Sequence, residues 1–354
     1  MKAIILPEHG GPELFRVEEV PKPKIKSGHV LIQVAASSVN PVDFKIRQGL
    51  IPIGPDLPGI LHGDVAGVLA EVAADVEGFA PGDEVYGCVG GFKSLPGVLA
   101  DYALADARLL AKKPSNLSME EAAALPLVTI TAWNALTDRA KVSEEQRVLV
   151  HAAAGGVGHV ALQLAKAAGA EVHVTASSEE KIALGKELGA DVGINYKERS
   201  VEEYVSEHTG GAGYDVVFDT VGTTRLDDSF QAAKIGGTVV SIAARSTHDL
   251  THVHVRALTL HVVFMLLPLV RNIGREHHGA ILRQATQLVE AGKLRPHLHT
   301  EVFPFERVGD AHALLESGGT LGKIVLSNGV FKIGTPFPKT MNVMKEQIRL
   351  VNAE

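Results

Sequence analysis

The chain of 354 residues has a single cysteine, Cys88, and only 5% aromatic residues. One cysteine excludes an internal disulfide and suits a reducing cytoplasm. Cys88 follows Val85-Tyr86-Gly87 in a strand-like run and reads as a small core residue; a catalytic thiol is the alternative. No basic block and no interleaving of aromatic with basic residues points to nucleic acid. Long apolar runs are missing too. Met1–Pro7 is too short for a signal peptide. The most apolar stretch, Val262–Val270, is too short to span a bilayer and reads as a buried strand running into an interface. The net charge of −7 and pI near 6.1 describe an ordinary soluble acidic protein, expected in the cytoplasm. The length suits one large or two medium domains.

What is present starts with Val148-Leu149-Val150-His151-Ala152-Ala153-Ala154-Gly155-Gly156-Val157-Gly158. An apolar strand runs into a tight glycine turn. A helical pattern follows, with Val160, Leu162, Leu164 and Ala165 apolar and Gly169-Ala170 at its end. Val172, Val174 and Ala176 then read as a second strand. This is the β-turn-α-β unit that holds a dinucleotide: glycine lets the backbone approach the pyrophosphate, and the helix N-terminus offers free N–H groups to the anion. In GxGxxG register the three positions are Ala153, Gly155 and Gly158, with Gly156 and Val157 between the last two.

The end of the second strand decides which dinucleotide. NAD binders usually carry Asp or Glu there for the ribose hydroxyls. Here the slot holds Ser177, which leaves room for a 2′-phosphate and does not repel it. Lys181 follows one helical turn later as a point charge, and Tyr196 is placed to close the pocket. The plain alternative is that Ser177 and Ser178 cap a helix and Lys181 is a solvated lysine. NADPH is the expected cofactor, although Glu179 and Glu180 add negative charge nearby.

Texture changes along the chain. To about residue 125, short β-rich runs alternate with Gly and Pro turns, as in Val30–Val34, Gly67–Val72 and Gly82–Tyr86, which suggests a barrel-like antiparallel unit. Residues near 118–137 read as helical, with Ser118 as N-cap. Strands are expected at 147–153, 171–176, 192–195, 214–219, 237–242 and 259–265, alternating with helices as in a doubly wound parallel sheet. A helix near 275–292 follows, and then strands at Val302-Phe303 and Lys323–Leu326 return to the first unit. The fold class is α/β: a Rossmann sheet plus a β-rich unit.

An ordered set of segments now stands out. It comprises Val39-Asn40-Pro41-Val42-Asp43, Asp64-Val65-Ala66-Gly67, Gly82–Gly87, Ala124-Leu125-Pro126 with Thr131-Ala132-Trp133, the glycine turn, Asp215–Asp219 and Gly322–Leu326. In this order they resemble the medium-chain dehydrogenase/reductase superfamily, in its zinc-independent quinone oxidoreductase and enone reductase branch. Asn40–Lys45 looks especially like the enone reductases. The resemblance implies a GroES-like catalytic domain at 1–127, a Rossmann NADPH-binding domain at 128–270, a return to the catalytic domain at 271–327 and an extension at 328–354. It implies an active site in the cleft between the domains. The extension shows a stripe of Met344, Ile348 and Val351, read as docking on a partner subunit or as a loose tail.

Zinc alcohol dehydrogenases of this superfamily set Cys, His and Cys around the ion. By the same registers those slots hold Asn40, Gly63 and Leu127, none a good zinc ligand, and a four-cysteine structural lobe is impossible here. His62 stands alone beside Gly63. His252 and His254, spaced by two on an assumed strand, share a face but lack a further ligand, and read as surface or interface residues. No metal is expected. Two departures matter: Lys45 and Ile51 stand where some quinone oxidoreductases carry pocket tyrosines, and Leu321 replaces an arginine before the Gly-Lys pair.

Hydride arriving at the β-carbon of an enone develops negative charge on the carbonyl oxygen, and a donor must meet it. Asn40 and Lys45 are the candidates; a ribose hydroxyl or a water is the alternative, and Lys45 equally reads as a cofactor or surface residue. Thr131 is a candidate nicotinamide neighbour. Phe44, Ile51, Trp133 and Phe264 read either as apolar walls or as ordinary core. Two other readings stay open: an alcohol or aldehyde reductase on this fold, and a non-enzymatic NADPH-binding structural or sensing protein. A homodimer is expected through the apolar edge strand around 259–264.

Overall fold

The computed structural model describes residues 1–329, so the Met344–Val351 stripe lies outside the described residues. Short strands open the chain: β1 (Lys2–Ile5) pairs antiparallel with β2 (Arg16–Glu19). Then come β3 (His29–Ser38), α1 (Pro41–Arg47), β4 (Asp64–Val72), β5 (Glu84–Cys88), β6 (Tyr102–Asp106) and β7 (Leu110–Lys112). These strands form an antiparallel sheet in which β3, β4, β5 and β7 follow one another and β6 pairs with β3. Val30, Ile32 and Val34 of β3 are all buried, and Cys88 closes β5 inside the same core. Helices α2 (Met119–Ala123) and α3 (Pro126–Trp133) lead out of this sheet. Ser118 starts α2 with a capping box: its hydroxyl accepts from the Glu121 N–H, and the Glu121 carboxylate accepts from the Ser118 N–H. Beyond Trp133 the chain widens into a π-helical turn, Asn134–Arg139.

The second sheet is built by alternation. It contains β8 (Arg147–His151), α4 (Gly156–Ala167), β9 (Glu171–Ala176), α5 (Glu179–Glu187), β10 (Val192–Asn195), α6 (Val201–Thr209), β11 (Tyr214–Asp219), α7 (Thr224–Ala232), β12 (Ala233–Ser241), α8 (Thr251–Val255) and β13 (Thr259–Val262). Its six strands are parallel in the order β10-β9-β8-β11-β12-β13. Val148, Leu149 and Val150 are fully buried because helices cover both faces. Leu149 packs with Tyr204 and Phe230 on the α6/α7 side, while Val148 and Val150 belong to the core that includes Val160 and Leu164 of α4. The winding reverses between β8 and β11, which opens a crevice at the strands' carboxyl ends.

After β13 the chain forms α9 (Leu267–Arg271), α10 (Arg275–Glu290), β14 (Leu298–Pro304), α11 (Val308–Glu316) and β15 (Lys323–Ser327). β15 pairs antiparallel with β3 and parallel with β14, so this last described strand completes the first sheet. On the way it touches the glycine turn: the Gly322 N–H donates to Ala154 O at 3.3 Å.

Two expectations are corrected. The apolar run Val262–Val270 is not one buried strand. β13 stops at Val262, and Pro268 helps start helix α9, because proline suits a first helical turn and cannot extend a ladder. Val262 and Phe264 are exposed while Val263 is buried. His252 and His254 lie in helix α8, where a spacing of two turns them to different sides.

Candidate active site

The glycine turn works through its backbone. α4 begins at Gly156 with Gly155 as N-cap, and no side chain caps it. The first intrahelical bond is His159 N–H to Gly155 O at 3.1 Å, so the amides of Gly156, Val157 and Gly158 precede it. A Cβ on Gly158 would lie 2.1 Å from Ala152 O, so only glycine lets strand and helix approach this closely. Ala152 itself takes φ +56°, a left-handed conformation that costs an alanine energy and bends the chain off β8. Ala153 is buried beneath the turn. This is a cradle for an anion at a helix N-terminus.

At the end of β9, Ser178 is the N-cap of α5, its hydroxyl facing the Lys181 N–H at 3.5 Å. Capping therefore accounts for Ser178, while Ser177 is half-buried beside it and Lys181 stands in the first turn of α5. Tyr196 follows β10, with the Arg225 guanidinium 4.2 Å above its ring. Behind them is a cavity of ≈ 280 Å³ lined by His151, Thr175, Tyr196, Arg199 and Arg225 among others. His151 Nδ1 bonds Thr175 Oγ1 at 2.8 Å, and its buried Nε2 has no partner. Burial pushes the His151 imidazole down to about 4, so it is neutral near neutral pH.

Across the cleft, Asn40 is buried at the start of α1. Its Nδ2 donates to Asp64 Oδ2 at 2.7 Å, and its Oδ1 accepts from the Lys323 ammonium. Its backbone N–H donates to Asp43 Oδ2 at 2.7 Å. Asp64 is a hub. It also accepts from Ser38 Oγ at 2.8 Å and from the Leu127 N–H at 2.8 Å, at the first turn of α3. Lys323 Nζ donates to Val39 O at 3.0 Å and lies 3.8 Å from Asp64 Oδ2. Burial raises the pKa of Asp64, with Lys323 and these donors opposing, and pushes Asp43 up to about 7. Thr131 is buried further along α3, its hydroxyl donating to Leu127 O at 2.7 Å.

The sequence-derived candidates thus fall into three places. Ala153 to Gly158 form the turn. Ser177, Ser178, Lys181 and Tyr196 gather at the ends of β9 and β10. Asn40 and Thr131 lie near Asp64, but Lys45 stands on the exposed side of α1 and is not brought to the Asn40–Asp64 cluster. Residue reasoning missed Lys323, Asp64 and the partner of His62. His62 is not alone: its Nε2 bonds His312 Nε2 at 2.8 Å, and Arg47 Nε donates to His312 Nδ1 at 3.2 Å. The one available signal was a lysine opening the apolar run Lys323-Ile324-Val325-Leu326. Among the described residues, no group of three or more His, Cys, Asp or Glu stands where it can hold a metal ion.

Residues 26–115 match the alcohol dehydrogenase GroES-like domain, and residues 156–273 match the zinc-binding dehydrogenase domain. Over 335 residues the chain is 35% identical to the chloroplastic NADPH-dependent alkenal/one oxidoreductase of Arabidopsis thaliana, covering 92% of this chain and 79% of that protein. The chain belongs to the medium-chain dehydrogenase/reductase superfamily. Its similarities place it in the quinone oxidoreductase and enone reductase branch. An alcohol dehydrogenase superfamily protein from Novosphingobium aromaticivorans has a similar structure, with a TM-score of 0.89 and 42% identity, over 92% of this chain and 99% of that one. The Escherichia coli quinone oxidoreductase, solved in complex with NADPH, superposes with a TM-score of 0.81 at 27% identity, over 92% and 100%. For a member of this superfamily, Gly63 is informative. A Cβ there would lie 2.7 Å from Gly90 O, so no ligand side chain fits unless the backbone moves.

Proposed function

We propose that this medium-chain dehydrogenase/reductase is a zinc-independent oxidoreductase that transfers hydride from NADPH to quinones or α,β-unsaturated carbonyl compounds. One observation carries the reading: an open glycine-turn cradle faces a β9 end with Ser177 and Lys181 and no acid in the ribose slot. The Arabidopsis relative and the Escherichia coli structure support it by their named cofactor. The helix N-terminus that Gly158 lets pack closely on β8 presents the N–H groups that suit a pyrophosphate. Gly156, Val157 and Gly158 receive it through backbone N–H groups, while the Gly155 N–H is spent inside the turn on Ala152 O at 2.9 Å. Ser177, Lys181 and Tyr196 hold the 2′-phosphate, and the cavity floored by His151 and Thr175 takes the adenosine end.

The reduced nicotinamide supplies the hydride when bound. The chain supplies position, dryness and a donor for the developing oxyanion. Asn40 holds one amide hydrogen on Asp64 and keeps the second for such a bond. Lys45 lies on exposed α1 and reaches only a substrate that projects from the cleft. The cleft has no metal-ligand trio at Asn40, Gly63 and Leu127, so charge stabilisation rests on these donors. We also read the protein as a cytoplasmic homodimer. Among the described residues, no helix is long and apolar enough to cross a membrane. β13 is the edge strand of its sheet, and Val262 at its end and Phe264 just beyond it are exposed, an edge that suits a second copy.

The test follows the absorbance of NADPH with a panel of quinones, enones and aldehydes, with and without a strong chelator. Oxidation with quinones or enones, insensitive to chelator, is expected. Turnover of aldehydes alone, or activity lost with the metal, overturns the reading.

A further inference from the structure

The cleft's buried charges meet at one residue that the reading above leaves without a role. Lys323 is almost fully buried at the start of β15. Its ammonium holds Val39 O and Asn40 Oδ1 and faces Asp64, which in turn holds Asn40 and the first turn of α3. Its aliphatic stem lies against the dinucleotide turn: a Cβ on Gly156 would be 3.2 Å from Lys323 Cδ. One side chain therefore touches the cofactor cradle, the Asn40 segment and, through Asp64, the helix that carries Thr131.

Folding alone does not call for such a residue. A buried ion pair is weak evidence for stability, and apolar residues of similar volume often serve as well. Orientation does call for it. A planar amide and a carboxylate hold their directions only while their acceptors and donors are fixed. Asn40 has one end on Asp64 and the other on Lys323. The loop before β14, the neighbour of β15, is tied to the cofactor helix separately, because Gln163 of α4 exchanges hydrogen bonds with the backbone of Arg295, at 3.0 and 2.9 Å.

We propose that Lys323 is a positioning residue for hydride transfer, setting Asn40 and α3 against the glycine turn that holds the cofactor. The proposal rests on the NADPH reading. It distinguishes orientation from mere structure, because the charges can be removed together. Lys323→Met alone leaves Asp64 buried without its cation and lowers the melting temperature. Asp64→Asn combined with Lys323→Met removes both charges and restores most of the melting temperature. In that double variant the NADPH Kd, read from the cofactor's fluorescence, rises by about tenfold or more, and kcat at saturating NADPH falls by about tenfold or more. Lys323→Arg recovers part of the kcat. Hydrogen exchange on the unaltered protein adds a readout that needs no variant: NADPH slows exchange at the Leu127 and Asn40 amides.

A folded double variant with the parent's Kd and kcat overturns the proposal. So does an absence of NADPH-dependent protection at both amides. If the unaltered protein neither binds nor oxidises NADPH, the functional reading falls instead. If it does both and the double variant matches it, only the assignment of Lys323 falls.

Discussion

The two sheets use polar groups in opposite ways. At the β8–α4 turn the functional groups are backbone amides, and side chains serve mainly by being absent, as Gly158 shows. On the other side of the cleft the polar groups are buried side chains drawn from distant parts of the chain. Asn40 and Lys323 are 283 residues apart, and His62 and His312 are 250 apart. A backbone site needs only local geometry, so it survives in any chain that can make the turn. A side-chain network needs the whole fold to be in place, and each member is costly if its partner leaves.

The largest break should therefore come from the network. Asp64→Ala strands the Lys323 ammonium and removes the acceptor for Asn40, Ser38 and Leu127. We expect a loss of about 3–5 kcal/mol in denaturant unfolding. A loss near zero would show that the cluster holds nothing together.

Acid should act on buried histidines of both sides. Burial lowers His62 to about 3, His151 and His159 to about 4, and His312 well below its usual 6.5. Below pH 6.5 the unfolded chain takes up protons that these folded histidines refuse, so stability falls as pH falls toward their folded values. Asp43, raised by burial to about 7, and Asp64, also raised by burial, work in the opposite direction. The lowered histidines, joined by His278 at about 4, outnumber these two carboxyls. The melting temperature should drop from about pH 7 to about pH 5, and His312→Asn should flatten the slope. A rising melting temperature over that range contradicts this.

A smaller effect is expected from the cofactor side. Lys181→Ala should weaken NADPH by about 1–3 kcal/mol and leave NADH nearly unchanged. Titrations giving equal affinity for both cofactors in the unaltered protein remove the basis of the assignment. The smallest effect on catalysis is expected at the sheet edge. Phe264→Lys should release monomers in light scattering, because an unpaired charge would be buried in the contact. A monomer already present in the unaltered protein at micromolar concentration ends the dimer proposal. Val263 is the wrong site for this test, since it packs inside its own subunit.

Legibility followed the same divide. The six parallel strands and the turn at Gly155–Gly158 could be read locally, because strand, glycine and helix lie within a dozen consecutive residues. The metal-ligand slots were legible as residue types. The environment of Asn40 was not. It was expected as a donor, and it stands with its oxygen on Lys323 and one amide hydrogen already on Asp64. Lys45 stood beside Asn40 as a candidate in the same short segment, with a surface position as its alternative, and the turn of α1 sends it to solvent. The run after β13 misled because uniform hydrophobicity does not separate a buried strand from an exposed edge and a short helix.

What the sequence by itself determined is the set of local choices. The strand–glycine–helix unit, the absence of an acid at the ribose slot and the absence of cysteine and histidine ligands follow from residue types and short spacings. Only the tertiary structure decided which polar side chains meet. β15 returns beside β3 and carries Lys323 to Asn40, Asp64 and the glycine turn. That meeting depends on sheet pairing between strands far apart in the chain, and no local pattern encodes the partner of a buried charge.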